Sequence, residues 1–450
     1  WEATMRTLIT RALLVSFETG FVESEGAVVI EDGRIAYVGP LDSVSPDNID
    51  AYDEVVDAGG RLVCPGFVNM HMHLYSTPAC GMPVAPASSF VEVLETLWWT
   101  LDRQLRPEDL YWAAMVPLTR AIRKGFTTFF DHHSSPSAIE GSLARIDMAR
   151  KVTGLRGVLC YEVSDRDGAK ARDAGIEENL SFIQHAAATS DGSGGRMQAG
   201  MFGLHASFTL EQGTLETIAA SSEARAAGIH VHVAEDRADV EHTKATYGQG
   251  ILERFEALGL LNERSLCAHG LHLDARELER LAAAGGMLVH NPQSNMNNAV
   301  GFLDLVGRDL SAPLTCLGSD GMTSGLLEEL RASIFAHHHI HQHPQAAFME
   351  PVTLLVKNNV AAARRFLDPD LGRLTLGAPA DLVVFDYLPF TPIHSGNLAG
   401  HLAFGLSQVE ARDVMVAGQW LLRDRSFPHL DEEAIAARAR EANAALWERM

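Results

Sequence analysis

The sequence predicts an α/β fold: a (β/α)8 TIM barrel with a small β-sandwich built from both termini. Three observations predict it. Eight short apolar runs, near 62–73, 126–133, 154–163, 198–207, 228–235, 265–270, 285–294 and 314–320, alternate with helix-compatible stretches such as Leu210–Ala226 and Asp274–Ala284. Strand and helix in alternation give a parallel sheet covered by helices, and eight repeats give a barrel. His73, His133, His205, His232, His269, His290 and Asp320 stand at or near the ends of seven of the eight runs, as expected if the strand ends share one pocket. Strand-rich segments also stand at both ends of the chain. A doubly wound open sheet is the competing arrangement, but no Gly-x-Gly-x-x-Gly turn follows an early strand.

In chain order, Leu8–Thr10, Ala27–Ile30 and Ile35–Pro40 read as antiparallel strands, the last two joined by the turn Asp32-Gly33-Arg34. Ala380–Asp386 and Val414–Leu421 form a matching set late in the chain. The stretch from Asp431 to Met450 is rich in Ala, Glu and Arg and reads as a closing helix. The expected organisation is therefore a composite sandwich from residues 1–63 and 369–430, a barrel from 64–368 and a C-terminal helix from 431–450.

Hydrophobic residues make up 46% of the 450 and charged residues 21%, which is the balance of a globular protein. A net charge of -22 repels phosphate backbones and anionic lipid, so neither nucleic acid nor a membrane is an expected partner. Five cysteines without a Cys-x-x-Cys pair indicate neither a disulfide framework nor a zinc ribbon. With no export signal near the N-terminus and no long apolar run, a cytoplasmic protein is expected.

His71 and His73 lie two apart at the end of the first run, where alternation on a strand points both imidazoles to one side. His232 ends the fifth run and Asp320 the eighth. Three imidazoles and a carboxylate suit one divalent ion, zinc first and iron as the alternative. Such an ion would supply hydroxide at ordinary pH. Asp320 would then also accept the water's proton, and His269 would hydrogen-bond the hydroxide and the developing tetrahedral centre. Glu235, three residues beyond His232, is placed to deliver a proton to a ring nitrogen or leaving group. His230 shares a strand face with His232 and is the rival ligand.

The stretches Pro65–His73, Gly203-Leu204-His205, His232-Val233-Ala234-Glu235, His290–Met296 and Gly318-Ser319-Asp320-Gly321 resemble the amidohydrolase superfamily, in its cytosine deaminase and triazine-hydrolase branch of mononuclear aminohydrolases. Glu95–Arg103, Phe130–Pro136 and Asp320–Ser324 resemble, more narrowly, the SsnA aminohydrolase subgroup associated with selenium-dependent purine metabolism. The likeness implies that His205 contacts substrate and that the loop from Asn291 to Asn295 shapes the seventh-strand wall. It implies a single metal, because His205 stands where binuclear members carry a carbamylated lysine. His132 and His133 are then expected to bind substrate or each other. Family members commonly associate, so a homodimer or larger homo-oligomer is expected.

Other signals read as packing. The run His337–His343 falls in an apparent helix, where successive residues fan around the axis. Cys80 and Cys267 are expected to be packing residues. Trp98 and Trp99 have helical spacing, and Trp98 is taken as the ring on which a planar substrate would stack. The expected activity is metal-dependent hydrolytic deamination of an N-heterocycle such as a purine, pterin or pyrimidine. The alternatives are hydrolysis of another carbon–nitrogen or carbon–halogen bond, as in a cyclic amide or triazine, and a non-catalytic metal-binding barrel.

Overall fold

The computed structural model describes residues 5–44, 51–189, 192 and 194–450; the extreme N-terminus and part of the expected first sandwich segment lie outside them. Strands β1 (Arg6–Ser16), β2 (Phe21–Glu31) and β3 (Arg34–Pro40) form an antiparallel meander, while β4 (Glu54–Asp57) and β5 (Leu62–Pro65) run parallel to β1. The turn between β2 and β3 uses positive φ at Asp32 and Gly33, 50° and 76°, which short polar residues and glycine tolerate.

The middle of the chain builds two parallel sheets. One holds β6 (Phe67–Met72), β7 (Phe126–His133), β8 (Arg156–Tyr161) and β9 (Gln198–Gly200); the other holds β10 (Phe202–Ala206), β11 (Ile229–Val233), β12 (Leu266–His269), β13 (Met287–His290) and β14 (Leu314–Leu317). β9 and β10 are the two halves of the fourth apolar run, parted at Met201. Backbone bonds cross both seams: Met201 N–H donates to Leu159 O and His205 N–H to Val163 O, and on the other side Ser319 and Asp320 N–H both donate to His71 O. Every residue of β6, β7, β8 and β10–β13 is buried, because parallel strands covered on both faces have no solvent side and do not alternate in burial.

The chain then returns to the first sheet. β15 (Leu382–Phe385) pairs antiparallel with β5, followed by β16 (Ala411–Val416) and β17 (Gln419–Leu422), giving one eight-stranded sheet shared by both termini. Alternation along its strands serves two cores. Leu13, Val15, Leu62, Cys64, Val383 and Phe385 pack with Leu118, Ala121 and Ile122 of the helix Pro107–Arg123, while Leu14, Val63, Leu382, Val384 and Met415 form a separate cluster on the other face. Arg156 at the start of β8 joins the two layers: its guanidinium donates to both carboxylate oxygens of Asp381, at 2.6 and 2.8 Å, with both side chains buried.

The closing helix spans Glu432–Trp447 and is tied to the rest by Arg123–Glu432 and by Trp447 Nε1–H donating to Pro78 O at 2.9 Å. The helix expected over 210–226 is two, Gln212–Ala220 and Ser222–Ala227, because Ser221 leaves helical geometry and its hydroxyl caps the second through Ala224 N–H. All five cysteines are free; Cys267 is buried as expected, but Cys80 is exposed, since it follows the short helix after β6 and faces outward. Among the described residues no helix is long and apolar enough to cross a membrane.

Candidate metal centre

The ends of the parallel strands bring the predicted donors together. One ligand atom from each of His71, His73, His232 and Asp320 lies within 4.8 Å of the others. His73 Nε2 is 3.0 Å from Asp320 Oδ1 and 3.2 Å from His232 Nε2, and His71 Nε2 is 3.7 Å from Asp320 Oδ1. In each imidazole Nδ1 faces a partner of its own. That of His73 donates to His132 O at 2.6 Å, that of His232 to His205 O at 3.0 Å, and that of His71 meets His230 Nε2 at 2.8 Å. Fixing the proton on Nδ1 leaves the lone pair on Nε2. His71 Nε2 is buried and has no hydrogen-bond partner, so the donor set fits a divalent ion. Gly318 belongs to this packing, since a Cβ there would meet Asn291 Oδ1 at 2.5 Å and His71 Cβ at 3.0 Å.

Asp320, His269 and Glu235 form a second group. His269 Nδ1 bonds Asn295 Oδ1 at 2.8 Å, leaving its Nε2 3.5 Å from Asp320 Oδ2 and 3.6 Å from Glu235 Oε2. Asp320 Oδ2 accepts from the Ser294 hydroxyl at 2.6 Å, and Glu235 Oε1 accepts from Asn298 Nδ2 at 3.2 Å. Three residues at these strand ends take left-handed backbone: Ala234 (φ 48°), His269 (φ 72°) and Asp320 (φ 53°). Such strain costs about 1–3 kcal/mol per residue and collects at functional sites.

Charge is divided unevenly. Burial pushes Glu235 up to about 7, and the nearby Asp320 carboxylate adds to the effect. Burial acts on Asp320 in the same direction but is outweighed by His71 and His73, which hold it well below the usual carboxylate range. Burial pushes His71 down to about 3, which keeps its imidazole neutral and its Nε2 free of a proton.

The pocket above these groups is lined by His73, His205, His232, Glu235 and Asp320, with Trp98 and Trp99 on its apolar side. A π-helical turn at Leu94–Trp98, set between Phe90–Val93 and Trp99–Gln104, carries the first of these tryptophans and precedes the second. Asn291 departs from its expected place. It is fully buried beneath the site and does not line the pocket, because Pro292 starts a helix that turns Ser294 and Asn298 toward the cavity instead. His132 is also internal, its Nε2 on the carbonyls of Leu204 and His230, and His133 bonds Ser135. In the helix Leu326–His341, His337 accepts from Leu305 N–H and His341 bonds Asp304; both belong to local packing.

Glu162 was not singled out by the sequence, although it follows β8, the one strand end passed over. It is buried, lines the pocket, and sits 3.3 Å from His132 Nδ1 and 3.8 Å from His205 Nε2. Burial opposes its charge, but His205, His132 and Arg166 prevail and hold it far below the usual range. Arg166 pairs with Asp102 and lies over the Trp99 ring, 5.2 Å from its centroid.

Comparison with known proteins agrees with this arrangement. The model of the amidohydrolase family matches residues 62–421. A 5-methylthioadenosine/S-adenosylhomocysteine deaminase of Pelotomaculum thermopropionicum is 30% identical over 93% of this chain and 94% of its own, and one of Desulforudis audaxviator is 29% identical over 97% of each. Among solved structures, a zinc-bound adenosine deaminase from Xanthomonas campestris superposes with a TM-score of 0.82 at 21% identity, covering 98% of both chains. A zinc complex of atrazine chlorohydrolase from Arthrobacter aurescens gives 0.79 at 20% identity, over 97% of this chain and 100% of that one.

Proposed function

Because the chain belongs to the amidohydrolase family, we propose that it is a metal-dependent hydrolytic aminohydrolase that releases ammonia from an N-heterocycle such as a purine, pterin or pyrimidine. The observation that carries the reading is the meeting, at one end of the parallel strands, of the four-donor set with the Glu235–His269–Asp320 group. His71, His73, His232 and Asp320 would hold one ion, zinc by its fit to three imidazoles and a carboxylate. When bound there, it supplies the Lewis acidity that makes water nucleophilic at neutral pH.

The chain's own groups do the rest. Asp320 takes the proton of the attacking water, and Ser294 on its second oxygen keeps the carboxylate aimed. His269 presents its unpartnered Nε2 to the oxygen being delivered. Glu235 passes a proton to the ring nitrogen beside the carbon under attack, making that carbon electrophilic. A carbon–oxygen bond forms, the carbon–nitrogen bond then breaks as the amino group leaves as ammonia with the proton Asp320 took from water, and the added hydroxyl returns its proton to Glu235 as the carbonyl forms. His205 and Trp98 wall the space for the planar ring.

The same reading closes the two parallel sheets into one (β/α)8 barrel, supported by the backbone bonds across both seams. It folds the terminal sheet into a sandwich over the cluster of Ile9, Val28, Val63, Val384 and Met415. The division into terminal sheet, barrel and closing helix expected from the sequence is kept, with the first limit moved from 63 to 65 because β5 (Leu62–Pro65) pairs with β1 and β15 of the terminal sheet; free cysteines are consistent with the cytoplasm.

The test is a screen of purines, pterins and pyrimidines for ammonia release by protein of measured metal content. Release from at least one compound, lost on chelation, is expected. No release from any compound at full metal occupancy would overturn the reading, and chloride or alkylamine release would move it to another bond.

A further inference from the structure

The pocket has a second acidic pole. Glu235 reaches the centre from the side of His269 and Asp320, whereas Glu162 reaches it from the side of His132 and His205. A carboxylate has about four acceptor positions, and among the described residues two ring nitrogens, at 3.3 and 3.8 Å, approach this one. Acceptor capacity is therefore left facing the cavity that Glu162 lines. The nearest guanidinium, that of Arg166, is committed to Asp102, Ser134 and the Trp99 ring behind the wall. Glu162, Glu235, Asp236, Asp239 and Asp320 all line the pocket, and among the described residues no lysine or arginine does.

Resting on the deaminase reading above, we propose that Glu162 is a specificity-determining residue, accepting a hydrogen bond from a ring N–H or second amino group on the substrate edge away from the carbon that loses ammonia. The substrate class is then a neutral, donor-rich heterocycle. A buried carboxylate rewards an N–H strongly because the analogue without it leaves the acceptor desolvated and unpaired. Phosphate or carboxylate substituents are disfavoured, since the lining offers them like charge and no cationic side chain of Lys or Arg.

The experiment uses metal-loaded wild-type protein with Glu162→Gln and Glu162→Ala, and as probes guanine, adenine and their 7-methyl and 9-methyl derivatives. For the base whose bonded edge is blocked by methyl, wild-type kcat/KM is expected to drop about 100-fold or more relative to the N–H parent. In the variants that ratio falls below about 10, through a raised KM for the N–H parent. The same ratio is read as Kd by calorimetry in the Glu235→Gln background, where turnover is not needed. A ratio indifferent to Glu162 in both variants, with ammonia still released, overturns this inference and leaves the deaminase reading standing. Glu162-dependent binding with no ammonia from any purine, pterin or pyrimidine at full metal occupancy overturns the deaminase reading and leaves the acceptor role in place.

Discussion

His230 Nε2 lies 2.8 Å from Nδ1 of His71, so the imidazole that rivals His232 by its place on the strand instead faces a proposed ligand and would fix its tautomer. A Cys160 sulfur 3.6 Å from His230 Nδ1 completes the row. Replacing His230 by Ala should weaken zinc affinity about 10–100-fold, as for other groups that orient a metal-bound histidine. Competition against a chromophoric chelator measures this, and unchanged affinity would remove the role.

Glu235 is three residues past His232 and outside the four-donor set. Glu235→Gln should therefore leave zinc content at the wild-type level while lowering kcat by about 10²–10⁴-fold. Metal analysis alongside steady-state ammonia release separates the two effects; near-normal turnover would contradict its part in proton transfer.

The Arg156–Asp381 pair is buried and bidentate, and the Asp381 carboxylate also accepts from Ala417 N–H at 2.9 Å. Removing one partner leaves the other charge buried and unpaired. Asp381→Ala should cost about 3–5 kcal/mol in chemical denaturation, and a loss near zero would mean that water reaches the pair.

Stability should fall in mild acid. Burial pushes both His133 and His290 down to about 3, well under the 6.5 of an unfolded chain. A depressed folded value contributes stability that is present above pH 6.5 and is lost as pH falls from there toward 3, because the unfolded chain takes up protons first. Each group adds a slope of about 1.4 kcal/mol per pH unit across that window. Urea midpoints between pH 4.5 and 6.5 should thus vary less steeply in His290→Gln than in the wild type, and an identical slope would show that His290 is protonated in the fold.

The sequence by itself determined the alternation of strand and helix and the return of the late strands to the early ones, and it singled out His71, His73, His232, Asp320, His269 and Glu235, which the fold brings to one end of the parallel strands. Periodicity and strand-end position are local properties, legible one segment at a time. Tertiary structure alone decided what each polar group faces. Asn291 and Ser294 sit three apart, yet only Ser294 and Asn298 reach the pocket, because Pro292 starts a helix there. His230 and His232 share a strand face, but depth in the layer gives one a histidine partner and the other a lone pair toward the centre. Glu162 acquires meaning only when β8, β7 and β10 bring it beside His132 and His205. A carboxylate at a strand end is ordinary in a sequence, and it is the loss of water around it that turns it into a determinant of what binds.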